Sequence, residues 1–173
     1  MKFLKLLIFL TLIYVNAKAQ LDSTDFASRK MADFVANAVL KDSTSYALFS
    51  VADKRFILIK KEKQGFKEYF VVLTDSGFVK IEKSVMLNSV KRFPGKKILD
   101  FSLYRKDYTT FSTDFYKNGY ENASGGMIYF VAKDSFGNRH GETRVSFITK
   151  PNLIPTEIYH YFVDRSFYYS KVQ

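Results

Sequence analysis

The chain has 173 residues, with 27 Lys and Arg against 17 Asp and Glu, a formal net charge of +10 and no cysteine. The missing cysteines exclude disulfides, thiol catalysis and cysteine-based zinc sites. The positive charge favours anionic surroundings, although lysines that alternate with glutamates are also typical of a solvated surface.

Residues 1–19 have the three parts of a secretory signal peptide. A basic start is followed by the apolar run 6–15 and by the small residues Ala17 and Ala19. The run is shorter than the ~20 apolar residues of a spanning helix. The alternative is a segment that stays attached as an anchor or a buried helix. Cleavage would leave residues 20–173, with 24 basic and 17 acidic residues, as a single exported domain without a stable transmembrane segment.

The segment 20–41 predicts one amphipathic helix. Asp22, Ser23 and Thr24 are good N-caps. The apolar residues that follow are three or four apart and form one stripe: Ala27, Met31, Phe34, Val35, Ala38 and Val39. Because such a stripe must be buried, we expect this helix to pack across a sheet.

Four strands joined by short turns are predicted next, in an antiparallel meander. Their ranges are 46–51, 55–61, 66–74 and 78–83. A short helix capped by Ser84 is predicted at 84–93, followed by a strand at 98–104. We then expect a short strand at 108–112 and a loop at 118–126.

The C-terminal part predicts strands at 127–133 and 143–149. The segment 156–171 fits two periodicities. A helix would group Ile158, Tyr161, Phe162 and Arg165, whereas a strand would group Tyr159, Tyr161 and Val163. Aromatic residues favour strands, so we predict a strand. The whole pattern predicts an α+β fold, with an N-terminal amphipathic helix packed on a mostly antiparallel meander sheet of about six to eight strands.

The stretch KDSFGNRHGETR, residues 133–144, concentrates charged and polar side chains and holds His140, one of two histidines in the chain. Its glycines, Asp134 and Asn138 are typical turn formers between two strands. We therefore predict the tip of a β-hairpin, with His140 largely in water.

A metal site is the first alternative for this stretch. His140 and Glu142 are two residues apart on a predicted strand, and His160 would have to supply a third ligand. Calcium at Asp134, Asn138 and Glu142 is a weaker alternative, because the spacing differs from an EF-hand loop. We predict neither a metal nor a cofactor.

Catalysis is the second alternative. The chain has no G-x-S-x-G nucleophile elbow, no P-loop and no G-x-G-x-x-G motif. A small secreted hydrolase could use His140 or His160 with nearby carboxylates. Asp164, four residues after His160, could orient that imidazole if the segment is helical.

The best candidate for a ligand-facing surface is the segment 104–120, where aromatic rings alternate with cations. The residues concerned are Tyr104, Arg105, Lys106, Tyr108, Tyr116, Lys117 and Tyr120. The same pattern would also suit an edge strand and loop whose tyrosines cover the core.

The function predicted from these patterns is a non-catalytic binding or interaction module in the periplasm, at the cell surface or in the medium. The expected partner is an acidic envelope component, either a glycan or a protein, and we do not expect nucleic acid.

Overall fold

The structure, a computed structural model, describes residues 27–40, 44–52, 54–105, 127–146 and 153–171. Helix α1 covers residues 27–39. The strands are β1 (Tyr46–Ala52), β2 (Arg55–Glu62), β3 (Gly65–Leu73), β4 (Val79–Met86), β5 (Met127–Lys133) and β6 (Arg139–Ser146), and helix α2 is Thr156–Ser170. Short 3-10 turns lie at Leu87–Ser89, Gly95–Leu99 and Phe101–Leu103.

The described strands form one six-stranded sheet in the order β4-β3-β2-β1-β5-β6, and every neighbouring pair is antiparallel. The predicted α+β class and the antiparallel meander of the first four strands are therefore confirmed. Strand β5 joins the sheet beside β1, so the chain crosses to the opposite side of the meander after β4.

The sheet carries apolar side chains on both faces, because successive strand residues point to opposite sides. On the first face, Phe49, Ile57 and Phe130 share a buried cluster with residues of α2. On the second face, Leu48 and Leu58 share a buried cluster with residues of α1. The sheet therefore lies between the two helices.

Helix α1 contacts the second face through a narrower surface than the apolar stripe predicts. Ala32, Val35 and Ala36 are buried, whereas Phe34 is 51% exposed and Ala38 is also exposed. The side of the helix that faces the sheet includes polar residues that bind polar partners, as described below. The apolar periodicity of the sequence does not indicate that polar residues also face the sheet. The apolar contact surface of α1 is therefore narrower than predicted.

Three predictions for single segments were wrong. The helix predicted at 84–93 is instead the end of β4 followed by a 3-10 turn, and the strand predicted at 98–104 is replaced by two 3-10 turns. The strand predicted at 156–171 is helix α2, because its aromatic side chains fill the core of the first face and tertiary packing outweighs strand propensity. Strand β6 begins at Arg139, four residues before the predicted start at 143. The predictions for 108–112 and 118–126 lie outside the described residues.

Glu68 on β3 joins helix α2 to the sheet through a carboxylate that is 0% exposed. The hydroxyls of Tyr161 and Tyr169 donate to it at 2.8 and 2.6 Å, and the Nε of Arg165 donates at 2.8 Å. Breaking a buried ion pair of this kind costs about 3–5 kcal/mol, because it leaves an uncompensated buried charge.

Burial and the adjacent carboxylate raise the pKa of Tyr161 and of Tyr169 well above the usual range, so both hydroxyls remain donors. Burial disfavours the charge of Arg165, but hydrogen bonding and attraction to Glu68 outweigh it and raise the pKa of the guanidinium.

A β-bulge interrupts the pairing of β5 with β6. Phe130 pairs with Thr143, but Ala132 pairs with His140, so β6 contains one residue more than β5 at this point. Gly141 has a φ of +58°, which is the left-handed conformation of the glycine in a G1 bulge. The extra residue reverses the alternation of side chains after His140.

Replacing Gly141 with alanine should destabilise the protein by about 2–5 kcal/mol, because left-handed strain and overpacking act together. A Cβ atom there would lie 2.6 Å from Cδ1 of Tyr104 and 3.2 Å from the carbonyl oxygen of Leu153. Gly95→Ala is the matched control, since its φ is +63° and a Cβ would meet nothing within 4 Å. Urea unfolding measures both variants. Equal losses in the two variants would contradict the steric role of Gly141.

Candidate functional site

The predicted hairpin tip is present in the structure, and Asp134 organises it. Its Oδ1 accepts hydrogen bonds from the backbone N–H groups of Phe136 and Asn138, each at 2.9 Å. Its Oδ2 accepts from the side-chain amide of Asn138 at 3.0 Å. The turn therefore forms around one carboxylate, as is usual for aspartate in tight turns.

His140 is largely enclosed, so the prediction that it stands in water was wrong. Its side chain is only 13% exposed, and its Nε2 lies 3.0 Å from Oδ2 of Asp134. The ring of Phe101 covers the imidazole at a centroid distance of 4.7 Å. The Nδ1 atom is buried and has no hydrogen-bond partner among the described residues.

The pKa of Asp134 reflects the same contacts. Burial alone would raise it, but hydrogen bonds from His140, Asn138 and Phe136 outweigh burial and lower the pKa to about 2. The carboxylate therefore remains ionised throughout the physiological range, where it can accept a hydrogen bond from the imidazole.

A second polar cluster joins the sheet to α1 on the second face. Arg29 donates to both carboxylate oxygens of Glu142, at 2.7 and 2.8 Å, and the hydroxyl of Tyr129 donates to the same carboxylate. Arg139 donates to Glu142 at 3.2 Å and also to Asp33 of α1. Burial first, and Glu142 second, raise the pKa of Tyr129 far above its usual range.

The metal ligands proposed from the sequence are not brought together. The bulge at Gly141 separates His140, which contacts Phe101 on the first face, from Glu142, which contacts Arg29 on the second. His160 is exposed on α2. Within the described ranges, no group of three or more His, Cys, Asp and Glu side chains could hold a metal ion.

The same geometry separates the calcium candidates Asp134 and Asn138 from Glu142. The carboxylate of Asp164, which could have oriented His160, accepts a hydrogen bond from Arg92 at 3.2 Å.

A surface pocket of ≈ 430 Å³ lies beside the hairpin tip. Its described lining combines three hydroxyl side chains, two charged side chains and two apolar ones: Thr44, Ser45, Ser135, Lys61, Glu62, Leu99 and Phe101. Phe101 therefore belongs both to the pocket wall and to the cover of the imidazole. The volume of the pocket is within the usual range of small-molecule sites.

The tyrosine-rich surface predicted from the sequence is described only at its start. Tyr104 is 4% exposed, its hydroxyl donates to the carbonyl oxygen of Ile98 at 2.7 Å, and its ring stacks on Phe130 at 5.7 Å. It is therefore a core residue and not a stacking platform. Arg105 is exposed. The other predicted members, Lys106, Tyr108, Tyr116, Lys117 and Tyr120, lie outside the described residues.

A basic loop, residues 91–97, was not predicted from the sequence. Lys91, Arg92, Lys96 and Lys97 are all exposed within these seven residues. Arg92 contacts Asp164 at 3.2 Å and Lys97 contacts Glu157 at 3.0 Å. The clustering of four cations around Pro94 is the signal in the sequence that could have indicated this loop.

No protein-family model, curated protein or solved structure with which we compared the chain matches it. In the part of the chain that the structure describes, no helix combines the length and apolarity needed to cross a membrane. Function must therefore be inferred from the charge and geometry of the sheet end that holds the pocket and the basic loop.

The contact between Asp134 and His140 should make the free energy of unfolding depend on pH. Because the pKa of Asp134 falls from 3.8 to about 2 on folding, its contribution is complete above pH ~4 and is lost as the pH falls towards 2. Asp134→Asn should therefore be less stable than the wild type at neutral pH. The difference in the free energy of unfolding should shrink between pH ~4 and pH ~2. Urea unfolding of both proteins across this pH range tests the prediction. A difference in the free energy of unfolding that stays constant with pH would contradict the role assigned to Asp134.

Proposed function

We propose that the protein is an exported, non-catalytic binding module for an acidic component of the cell envelope. Export is supported by the signal-like segment 1–19, and an acidic partner is supported by the net charge of +7 that would remain after its removal. The observation that carries the proposal is a concentration of exposed cations at the sheet end that holds the pocket.

These cations come from two neighbouring segments. Lys61 lines the pocket and Lys63 follows it in the turn between β2 and β3. The side chain of Asn88 donates to the carbonyl oxygen of Gln64 at 2.9 Å, which attaches that turn to the segment before the basic loop. After the basic loop, the chain reaches Leu99, which lines the same pocket.

The carboxylates on α2 balance only part of this charge. Asp164 and Glu157 pair with Arg92 and Lys97. Four exposed lysines of the two segments have no ion pair with any described carboxylate: Lys61, Lys63, Lys91 and Lys96. Anionic ligands are attracted to such a region, and the attraction is screened by salt.

The basic loop is held in place by an aromatic side chain at its centre. Phe93 packs edge to face on Phe66 at 5.3 Å and on Tyr161 at 5.4 Å. Since the loop backbone is anchored in the core of the first face, its cations are presented with a reduced entropic cost of binding.

The double variant Lys91→Gln, Lys96→Gln should weaken binding to anionic oligomers by about twofold to thirtyfold at low salt, since each exposed contact contributes ~0.2–1 kcal/mol. The matched control is Lys54→Gln, Lys80→Gln, which removes the same charge from lysines paired with Asp75 and Glu82.

Fluorescence anisotropy with labelled oligomers at two salt concentrations measures both variants. Equal losses in the two variants would contradict the basic loop as the binding surface. A loss found only after joint replacement of Arg105, Lys106 and Lys117 would instead support the surface predicted from the sequence.

A second candidate, a small hydrolase, is favoured by the 3.0 Å contact between His140 and Asp134 beside the pocket. Asp134 would orient the imidazole through Nε2, and Nδ1 would accept a proton from an attacking water. Movement of the Phe101 ring would be needed to admit that water.

Under this candidate, the protein hydrolyses at least one member of a panel of chromogenic esters and glycosides. His140→Gln should lower that rate by about a hundredfold or more, as expected for loss of a general base. Hydrolysis that is absent from the wild type, or unchanged in the variant, would exclude this use of His140.

A further inference from the structure

The pocket beside the basic loop has three chemical features on one small surface. Leu99 and Phe101 supply an apolar wall, Ser45, Thr44 and Ser135 supply hydroxyls, and charged side chains lie at the end of β2. A ligand that carries apolar and hydroxyl-bearing surfaces a short distance apart would match this lining.

The apolar wall is supported from behind by neighbouring side chains. Phe101 is partly buried against the core of the first face, and its ring is backed by the imidazole of His140 at 4.7 Å with an interplanar angle of 31°. His140 is in turn held by Asp134. The C–H groups on one face of a sugar ring can pack on such a preorganised aromatic surface, whose face is electron-rich.

The net charge of the pocket is set by Lys61. The other charged side chain, Glu62, is already paired with Lys60 at 3.0 Å and accepts from the hydroxyl of Tyr69 at 3.3 Å. The hydrogen bond from Lys60 is the main cause that lowers the pKa of Glu62. The exposed ammonium of Lys61 is therefore placed to meet an anionic group on the ligand, while the oxygens of Glu62 can accept from ligand hydroxyls.

We propose that this pocket binds one carboxylated sugar unit, a uronic acid, within an acidic glycan. The proposal rests on the proposed function and specifies its partner: the basic loop attracts the charged chain, and the pocket recognises the sugar ring. An acidic peptide would satisfy Lys61 equally well, but a sugar ring carries hydroxyls and an apolar C–H face on the same small unit, which matches the hydroxyls and the apolar wall of this pocket.

Calorimetry with three probes of six units each tests the proposal. They are a hexamer of uronic acid, a hexamer of glutamate with blocked ends and therefore the same number of carboxylates, and a neutral glucose hexamer. The uronic acid hexamer should bind about tenfold or more tightly than the glutamate hexamer. The neutral hexamer should bind more weakly than the uronic acid hexamer, because it cannot use Lys61.

Two pocket variants should remove the preference for sugar. Phe101→Leu keeps an apolar side chain but loses the aromatic face, and Ser135→Ala removes one hydroxyl from an exposed turn with little risk to folding. Each should bring the affinity for the uronic acid hexamer closer to that for the glutamate hexamer, whose affinity should not change. The Lys91→Gln, Lys96→Gln variant is the control and should weaken both acidic probes in parallel.

The outcomes separate the two proposals. Equal affinity for both acidic hexamers, or pocket variants that weaken both equally, would overturn the sugar subsite and leave the anion-binding function intact. No binding of either acidic hexamer at low salt would overturn both.

Discussion

The left-handed backbone at Gly141 determines where two of the described polar clusters form, the one around His140 and the one around Glu142. A regular strand would place His140 and Glu142 on the same face, two residues apart. The bulge sends the imidazole to the first face, against Phe101, and the carboxylate to the second face, against Arg29. Its narrow fit against Tyr104 and Leu153 means that only glycine satisfies the position without strain.

Each described helix is fastened to the sheet by a buried carboxylate that accepts hydrogen bonds from arginine and tyrosine side chains. Glu68 serves α2 and Glu142 serves α1. Removing such charges from water is costly, and their replacement by apolar residues is often neutral or stabilising. Their contribution is therefore better understood as directional, because an apolar surface alone would let a helix rotate or shift on a flat sheet with little change in buried area.

The sequence predicted the sheet better than the elements that cover it. Strands β1 to β5 follow from alternation, apolar runs and short glycine turns, which are local signals. Helix α2 was missed because its aromatic side chains have high strand propensity, and only the shape of the core decides in favour of a helix. The 3-10 turns around Ile98 were missed for a similar reason, since an apolar segment of that length also fits a strand.

The candidate site could be predicted only in its parts. The turn at 134–138 follows from residue type, but the enclosure of His140 depends on Phe101, which is 39 positions away along the chain. The pocket is lined by Thr44, Lys61 and Ser135, which come from separate segments. No local sequence pattern predicts that these segments lie close together. The prediction for Tyr104 failed in the opposite direction. The sequence placed it on a ligand-facing surface, but it is a buried core residue.

Tyr161, Arg165 and Tyr169 follow one another at intervals of four, so all three reach Glu68 from one side of α2. If the helix slid by one turn along its axis, a tyrosine would replace the arginine opposite the carboxylate, and the hydrogen bonds that the guanidinium now makes to Glu68 would be lost. Intermediate positions of the helix are therefore high in energy. Under mechanical load, α2 should therefore keep one position on the sheet until the whole helix detaches in a single step.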